Sequence, residues 1–287
     1  MNTILSGFIR VRLGASVLLL SSTLLIACGD TTLAITPSAT VVTATTAVAD
    51  SPTLAIRPGY IVGDTKRLGS GLVQSWVKVD AANKPVAVGL AFSTATLIDL
   101  PDSFNNQLPL QLPTQASATA FNHLSLDWNP KGHEPAGIYD KPHFDVHFYL
   151  LSQEERSAIL PTGDLATLTK SPPSETVPVG YAPPPGPVSP ASIVPGQGVH
   201  WGDTTSPEFR GQPFTQTFIF GFANAKLGFF EPMISKAFLE TKPDFSSDIK
   251  QPTVYSKTGV AYPTRYSIKY DAANKEYLVA LEDFINR

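Results

Sequence analysis

The chain has 287 residues, with 21 Lys and Arg against 24 Asp and Glu, and a formal net charge of −3. A mildly acidic chain without a basic run lacks the clustered positive charge that binds phosphates, so nucleic acid is excluded as an expected partner. Hydrophobic residues make up 43% of the chain. That content is enough for a sizeable folded core.

The N-terminus has the features of a bacterial lipoprotein signal. Two arginines are followed by an uncharged, mostly apolar run over residues 13–26, which is too short to be assigned as a membrane span. The run ends in Leu25-Ile26-Ala27-Cys28, which resembles the lipobox that precedes cleavage and lipidation. We therefore predict a signal peptide over residues 1–27 and lipidation of Cys28. The alternatives are a plain signal peptide and an uncleaved anchor.

Cys28 is the only cysteine of the chain. An intrachain disulfide and a thiol nucleophile in the mature domain are therefore both excluded. A lipidated cysteine would hold the protein on a membrane through its acyl chains. We expect a location in the bacterial cell envelope, with the membrane as a partner through the N-terminal lipid.

The segment that follows the cysteine predicts a tether. Residues 31–53 are rich in Thr, Ala, Val and Pro and carry one charge, Asp50, and such a segment cannot build a core. We predict a flexible tether over residues 28–53, with an edge strand through residues 40–46 as the alternative. The remaining residues, 54–287, are predicted to form a single β-rich domain.

Three hairpins are predicted from alternating hydrophobic residues and turn chemistry. They pair Gly71 to Val79 with Val86 to Phe92, Thr215 to Phe222 with Leu227 to Ile234, and Arg265 to Tyr270 with Tyr277 to Leu281. The strands of the first and last pair are joined by the same sequence, Asp-Ala-Ala-Asn-Lys. Asp and Asn favour tight turns, so this sequence supports a hairpin at both places. The fold class expected is mainly β, an antiparallel sandwich or a barrel-like domain.

Little helix is expected. Ser152 to Ile159 opens with a capping-box spacing, and Ile234 to Glu240 has the length of two helical turns. Of the 26 prolines, many lie in an insertion near residues 171–197. We expect a long irregular loop there, and its role as a lid, a partner-binding strap or a plain insertion stays open.

The segment from His133 to Tyr149 contains three of the five histidines. Its second half, His143 to Leu150, predicts a strand with aromatic and aliphatic side chains on one face and His143, Asp145 and His147 on the other. Side chains on the same face of a strand are about 6.6 Å apart, so the two histidines lie about 13 Å apart. Since metal ligands lie only about 2.0–2.2 Å from their ion, one ion would rarely bind both.

Any metal site must therefore recruit residues that are distant in sequence. The candidates are His133 in the preceding loop, His200 between two glycines, and Glu231 in the second predicted hairpin. We hypothesise a mononuclear site built by His147, Asp145, His200 and Glu231. Two histidines with carboxylates suit Zn, Fe or Mn, and an open coordination position would permit hydrolysis or oxygen chemistry.

Two alternatives to a metal centre stay open. The polar strand face could bind a ligand without a metal, or it could form a structural hydrogen-bond network that orders the loop or an interface. The chain has no Gly-x-Ser-x-Gly elbow and no nucleotide-binding glycine pattern, so serine hydrolase and nucleotide chemistry have no support.

Four motifs together resemble a bacterial family of exported proteins of unknown function. In chain order they are Pro130 to Pro135 (PKGHEP), Pro142 to Tyr149 (PHFDVHFY), Gly198 to Asp203 (GVHWGD) and Phe230 to Met233 (FEPM). The resemblance implies a β-rich, oligomeric protein without an established activity, and a shared pattern that includes the candidate histidines and Glu231. We expect an envelope protein with a binding or structural role, with a metal-dependent enzyme as the alternative.

Overall fold

The computed structural model describes residues 54–103, 105–187 and 189–287, with the side chains of residues 105–107 left out. The predicted signal peptide, Cys28 and the tether lie outside these ranges. The described chain is mainly β, and its strands form two antiparallel sheets of six and seven strands. Of the two architectures that the sequence left open, the structure has the β-sandwich.

The six-stranded sheet combines strands from both ends of the described chain. Its spatial order is β1-β2-β3-β13-β12-β11. The strands are β1 (Tyr60–Leu68), β2 (Gly71–Val79), β3 (Pro85–Ser93), β11 (Asp244–Asp248), β12 (Ala261–Asp271) and β13 (Glu276–Asn286). The first and last predicted hairpins lie in this sheet and are confirmed.

The seven-stranded sheet contains the middle of the chain and the histidine segment. Its order is β4-β5-β6-β10-β9-β8-β7. The strands are β4 (Asn105–Gln111), β5 (His123–Asn129), β6 (His143–Tyr149), β7 (Tyr181–Ala182), β8 (Val199–Asp203), β9 (Gln216–Ala223) and β10 (Lys226–Ser235). The remaining predicted hairpin, β9 with β10, is confirmed.

Three short helices interrupt the described strands: α1 (Gln153–Ser157), α2 (Leu165–Leu168) and α3 (Lys236–Glu240). The predicted capping box is present at α1, where Ser152 and Glu155 exchange side-chain and backbone hydrogen bonds. The segment predicted as helix from Ile234 begins two residues later, because Ile234 and Ser235 of β10 still pair with β6. Helix α2, capped by Asp164, was not anticipated.

The main core lies between the two sheets. Aromatic rings from both sheets meet there, as in the contacts of Phe92 with Phe144 and of Phe218 with Tyr266. The alternation of β6 supplies Phe144, Val146 and Phe148 to this core, as the sequence predicted. Burial of these large apolar side chains is the main term that stabilises the sandwich.

The opposite face of the seven-stranded sheet is also buried. All seven residues of β5 and all seven of β6 are buried, although alternate side chains point away from the main core. A smaller apolar cluster lies on this outer side, where Tyr139 and Phe214 from irregular segments pack with Tyr149, Phe229 and Met233 of the sheet. Segments between the strands thus form a third, irregular layer.

Gly221 of β9 makes room on this outer face. It pairs with His200 of β8 on one side and with Phe229 of β10 on the other. A Cβ atom at this position would lie 1.8 Å from Cε1 of Phe229. The ring of Phe229 therefore lies over the bare backbone of β9, beside the rings of His147 and His200.

No helix in the described ranges is long and apolar enough to cross a membrane.

We expect Gly221→Ala to destabilise the protein by about 1–3 kcal/mol, because the added methyl group must displace the Phe229 ring from a packed layer. Urea denaturation followed by tryptophan fluorescence would measure the change. Gly228→Ala is the matched control, since a Cβ there would lie 3.2 Å from the flexible end of Leu151 and 3.6 Å from the carbonyl oxygen of Gly221, which is an ordinary contact. Equal losses for both variants would contradict the proposed role of Gly221.

Candidate functional site

A continuous band of polar side chains crosses the outer face of the seven-stranded sheet. It follows the period-2 alternation of β5 and β6 and continues onto β10 and β8. Its buried members on the first three strands are His123, Ser125, Asp127, Asn129, His143, Asp145, His147 and Glu231. Polar groups at such depth are normally hydrogen-bonded, because their desolvation is otherwise uncompensated.

Six residues of this region form two groups that could each hold a metal ion. The strand triad consists of His147 on β6, His200 on β8 and Glu231 on β10. The loop triad consists of His133 from the loop before β6, with His143 and Asp145 of β6 itself. Within each triad one potential ligand atom per residue lies within 4.8 Å of the others.

The strand triad is centred on the carboxylate of Glu231. Oε1 of Glu231 lies 3.6 Å from Nε2 of His147, and Oε2 lies 3.5 Å from Nε2 of His200. His200 reaches Glu231 across β9 at the position of Gly221. Both distances exceed the usual length of an N–H···O hydrogen bond, so the three groups converge without bonding one another.

Unpaired polar atoms are concentrated in the two triads. Eight buried side-chain nitrogen or oxygen atoms of the described residues have no hydrogen-bond partner, and six belong to the triads. They are Nε2 of His143, Oδ1 of Asp145, both ring nitrogens of His147 and both carboxylate oxygens of Glu231. Such atoms cost free energy when buried, so this concentration indicates a missing partner common to them.

The loop triad has its ring orientations fixed by the backbone. Nδ1 of His133 lies 2.7 Å from the carbonyl oxygen of Glu134, and Nδ1 of His143 lies 2.7 Å from that of Lys141. Because a carbonyl oxygen only accepts, Nδ1 of each ring donates the hydrogen. The Nε2 atoms then face the carboxylate of Asp145, at 3.6 Å from His133 and 3.1 Å from His143.

Gly132 allows the loop to bring His133 over the sheet. Its φ angle is +68°, and a Cβ there would lie 2.0 Å from the carbonyl oxygen of Tyr139. His133 N also donates to that same oxygen of Tyr139. The loop therefore folds back on itself tightly, and the Gly-His sequence positions the imidazole beside β6.

His123 shows how a structural histidine is satisfied on the same face. Its Nδ1 lies 3.0 Å from Oδ1 of Asn122, and its Nε2 lies 2.9 Å from Nη1 of Arg156. One nitrogen donates and the other accepts, which is the full capacity of a neutral imidazole. Burial and the charge of Arg156 lower the pKa of His123 to about 4, so the ring is neutral. The triad histidines lack this arrangement.

Asp127 supports the strand triad from β5. Its oxygens accept from Ser125 Oγ and Gln197 Nε2, and Oδ2 lies 3.7 Å from Nδ1 of His147. Burial, together with the charge of Asp145, raises the pKa of Asp127 to about 8. Asp127 is therefore a group placed behind a candidate ligand, where carboxylates commonly orient ligating histidines.

Electrostatics oppose charge in the strand triad. Burial raises the pKa of Glu231 well above its usual value, and the charges of Asp145 and Asp127 add to this rise. Burial lowers the pKa of His147 to about 3 and that of His200 to about 4, against the opposing charge of Asp145. Burial raises the pKa of Asp145, but the positive charge and hydrogen bonds that His143 and His133 supply when protonated outweigh this effect and hold it below its usual range.

The structure brings together most of the residues singled out in the sequence, in a different grouping. His147, His200 and Glu231 converge, whereas Asp145 lies with His133 and His143 rather than in that triad. His143 and His147 fall in separate triads, in line with the strand spacing. Asp127 was missed, although the alternation of β5 places it on the same face and could have indicated it.

Residues 80–128 match a family model described as TTHB210-like: Hypothetical protein TTHB210. The match covers β3, β4 and most of β5, and it agrees with the expected resemblance to an uncharacterised bacterial family. The four motifs that carried the resemblance all lie after the matched residues. No curated protein and no solved structure matches the chain significantly.

For the protein freed of metal by a chelator, we expect Glu231→Gln to raise the free energy of unfolding at neutral pH by about 1–3 kcal/mol. The amide has the same shape, carries no charge and offers two donors to the neighbouring imidazoles. Chemical denaturation of both proteins in EDTA would measure the difference. A loss of stability in this variant would contradict the electrostatic account of the triad.

Proposed function

We propose that this chain is an exported metal-binding protein of the cell envelope, and that the strand triad binds a divalent transition metal ion. The observation that carries the proposal is the carboxylate of Glu231, which is fully buried and receives no hydrogen bond from any described residue. A metal ion offers what this carboxylate and the two facing imidazoles lack, which is a common partner of positive charge.

The distances in the strand triad suit ligands of a tetrahedral ion. Two ligand atoms that each lie about 2.0–2.2 Å from such an ion are about 3.3–3.6 Å apart. Nε2 of His147 is 3.6 Å from Oε1 of Glu231, and Nε2 of His200 is 3.5 Å from Oε2. Each distance matches one edge of a coordination tetrahedron. Because the two distances end on different oxygens, a small rotation of the Glu231 carboxylate is needed to bring one oxygen to an ion shared with both rings.

The local charge also favours a cation. Asp127, Asp145 and Glu231 are buried carboxylates on neighbouring strands, and the guanidinium group of Arg156, which lies over the Tyr149 ring, is a nearby positive charge. Burial raises the pKa values of Asp127 and Glu231, so without a cation these two groups are largely protonated at neutral pH. A divalent ion would displace their protons and compensate the resulting negative charge.

The donor set restricts the choice of metal. Two imidazoles and one carboxylate suit Zn²⁺, and they also suit Fe²⁺ or Mn²⁺. Calcium and magnesium prefer sites made wholly of oxygen ligands. We therefore expect zinc, iron or manganese, with His147, His200 and Glu231 as the protein ligands.

A metal-dependent enzyme is the second candidate function. Three protein ligands leave an open coordination position, which is the arrangement of catalytic rather than structural zinc sites. The side chain of His200 is 22% exposed, so this edge of the triad meets solvent. A bound metal would supply an activated water for hydrolysis or a position for oxygen chemistry.

The anchoring of the protein belongs to the same proposal. The lipobox-like end of the signal segment supports lipidation of Cys28, with the membrane as partner. The predicted tether would then hold the sandwich at some distance from the lipid surface.

We expect the full-length protein, purified in mild detergent and dialysed against buffered zinc, to lose about one equivalent of metal on the substitution Glu231→Gln. Inductively coupled plasma mass spectrometry would give the metal content. His123→Gln is the control, because His123 is a buried histidine of the same face that belongs to neither triad. The proposal fails if the Glu231 variant keeps the metal content of the wild type.

Lipidation has a separate test. Because Cys28 is the only cysteine, labelled palmitate supplied to expressing bacteria should enter the protein through this residue, and Cys28→Ser should abolish the label. Gel electrophoresis with autoradiography would compare the two proteins at matched expression. An unlabelled wild type would refute the lipid anchor without bearing on the metal site.

A further inference from the structure

We propose that the loop triad, His133, His143 and Asp145, is a second transition-metal site, and that its ion fastens the loop of residues 130–142 to β6. This second site extends the proposed function but uses none of the residues of the strand triad. Its donor set of two imidazoles and one carboxylate selects the same class of ion, with Zn²⁺ as the first choice.

The lone pairs of the three candidate ligands in the loop triad point toward one another. Nδ1 of His133 and Nδ1 of His143 both donate to backbone carbonyl oxygens at 2.7 Å. In a neutral imidazole the other nitrogen, Nε2, is then an acceptor. Both acceptors face the Asp145 carboxylate, which also only accepts. A cation held between them would convert this repulsive contact into coordination.

This arrangement is also the usual support of a ligating histidine. Histidines that bind a metal through one nitrogen generally donate the other N–H to a carbonyl or a carboxylate, which fixes the ring. Asp145 has similar support, because Asn129 Nδ2 donates to its Oδ2 at 2.7 Å. Each of the three candidate ligands is thus held in place by a group that is not itself a ligand.

Protonated histidines would stabilise the contact with the Asp145 carboxylate less well than a metal ion would. The ring centroids of His133 and His143 are 4.7 Å apart, and two imidazolium ions at that separation repel each other, one of them fully buried. An added proton on Nε2 of His143 could be donated to Oδ1 of Asp145 at 3.1 Å. Nε2 of His133, however, is 3.6 Å from Oδ2 of Asp145, which is long for a charged hydrogen bond. A single ion neutralises the carboxylate while both rings stay neutral.

The loop site differs from the strand triad in its access to solvent. The side chain of His133 is 36% exposed, whereas His147 and Glu231 are fully buried. Water, hydroxide or another anion can therefore complete the coordination of the loop ion and balance its charge. We expect this ion to exchange faster than the ion of the strand triad.

Two single substitutions separate the sites in a zinc-binding experiment. The full-length protein in mild detergent is dialysed against chelator-buffered zinc, and bound metal is counted by mass spectrometry. Wild type should hold about two equivalents, and His133→Ala and Glu231→Gln about one each. Because His133 is a partly exposed loop residue, its replacement leaves the core intact. His123→Gln, the control histidine, should keep both ions.

Limited proteolysis gives a readout that is specific to the loop. Trypsin can cut after Lys131, which is exposed beside Gly132, only when the loop opens and His133 leaves its ion. At zinc about ten times the dissociation constant, the open population and hence the cleavage rate should fall about tenfold. The same protection should persist in Glu231→Gln and be absent in His133→Ala.

The outcomes distinguish the two proposals. The loop site is supported if His133→Ala loses one equivalent of zinc and the protection of the loop, while Glu231→Gln keeps the loop ion and the protection. This result supports the loop site even if the strand triad binds nothing. The loop site is overturned if the wild type binds a single equivalent of zinc, Glu231→Gln abolishes that binding, and zinc does not protect the loop. The strand triad then remains supported. A wild type without bound zinc overturns both.

Discussion

The burial of ionisable groups on the outer face of the seven-stranded sheet is the constraint on which the rest of the site depends. A two-layer sandwich needs only its inner faces to be apolar, and its outer faces usually meet water. Here the outer face is covered, and it contains Asp127, Asp145 and Glu231 with the histidines of both triads. Desolvation of these groups opposes folding unless each has a partner. In the proposed function the irregular segments therefore matter, because they create the low-dielectric layer in which the proposed ligand atoms would bind a cation.

His123 and His147 show that this burial alone does not specify a metal site. Both are fully buried on neighbouring strands, and both stack on the Tyr149 ring. His123 has a donor and an acceptor for its two nitrogens, whereas neither nitrogen of His147 has a hydrogen-bond partner among the described residues. The structural alternative of a closed hydrogen-bond network thus describes one end of the polar band. In the strand triad the distances from the two imidazoles to Glu231 are longer than hydrogen bonds, and there the arrangement favours the proposed coordination.

The sequence was informative where a local pattern has one structural solution. Alternation in β6 assigned Phe144 to the core and Asp145 to the opposite face, and the turn residues located the three hairpins. It could not show that the opposite face is buried, because the covering segments have no periodic pattern. Nor could it show that Asp145 lies with His133 rather than with Glu231. That grouping depends on strand order and on the backbone fold at Gly132, and neither is encoded in the spacing along a single strand.

The two triads differ in how far apart their ligands lie in the chain, and this difference has consequences for folding. The ligands of the loop triad fall within thirteen residues, from His133 to Asp145, so only one strand and its preceding loop must form. Those of the strand triad lie on β6, β8 and β10, so their geometry exists only after the sheet has assembled. When ligands are brought together only by folding, the free energy of metal binding adds to the stability of the whole fold. An ion in the strand triad would therefore stabilise the sandwich as a unit. An ion in the loop triad would stabilise one loop, whose opening needs only local unfolding.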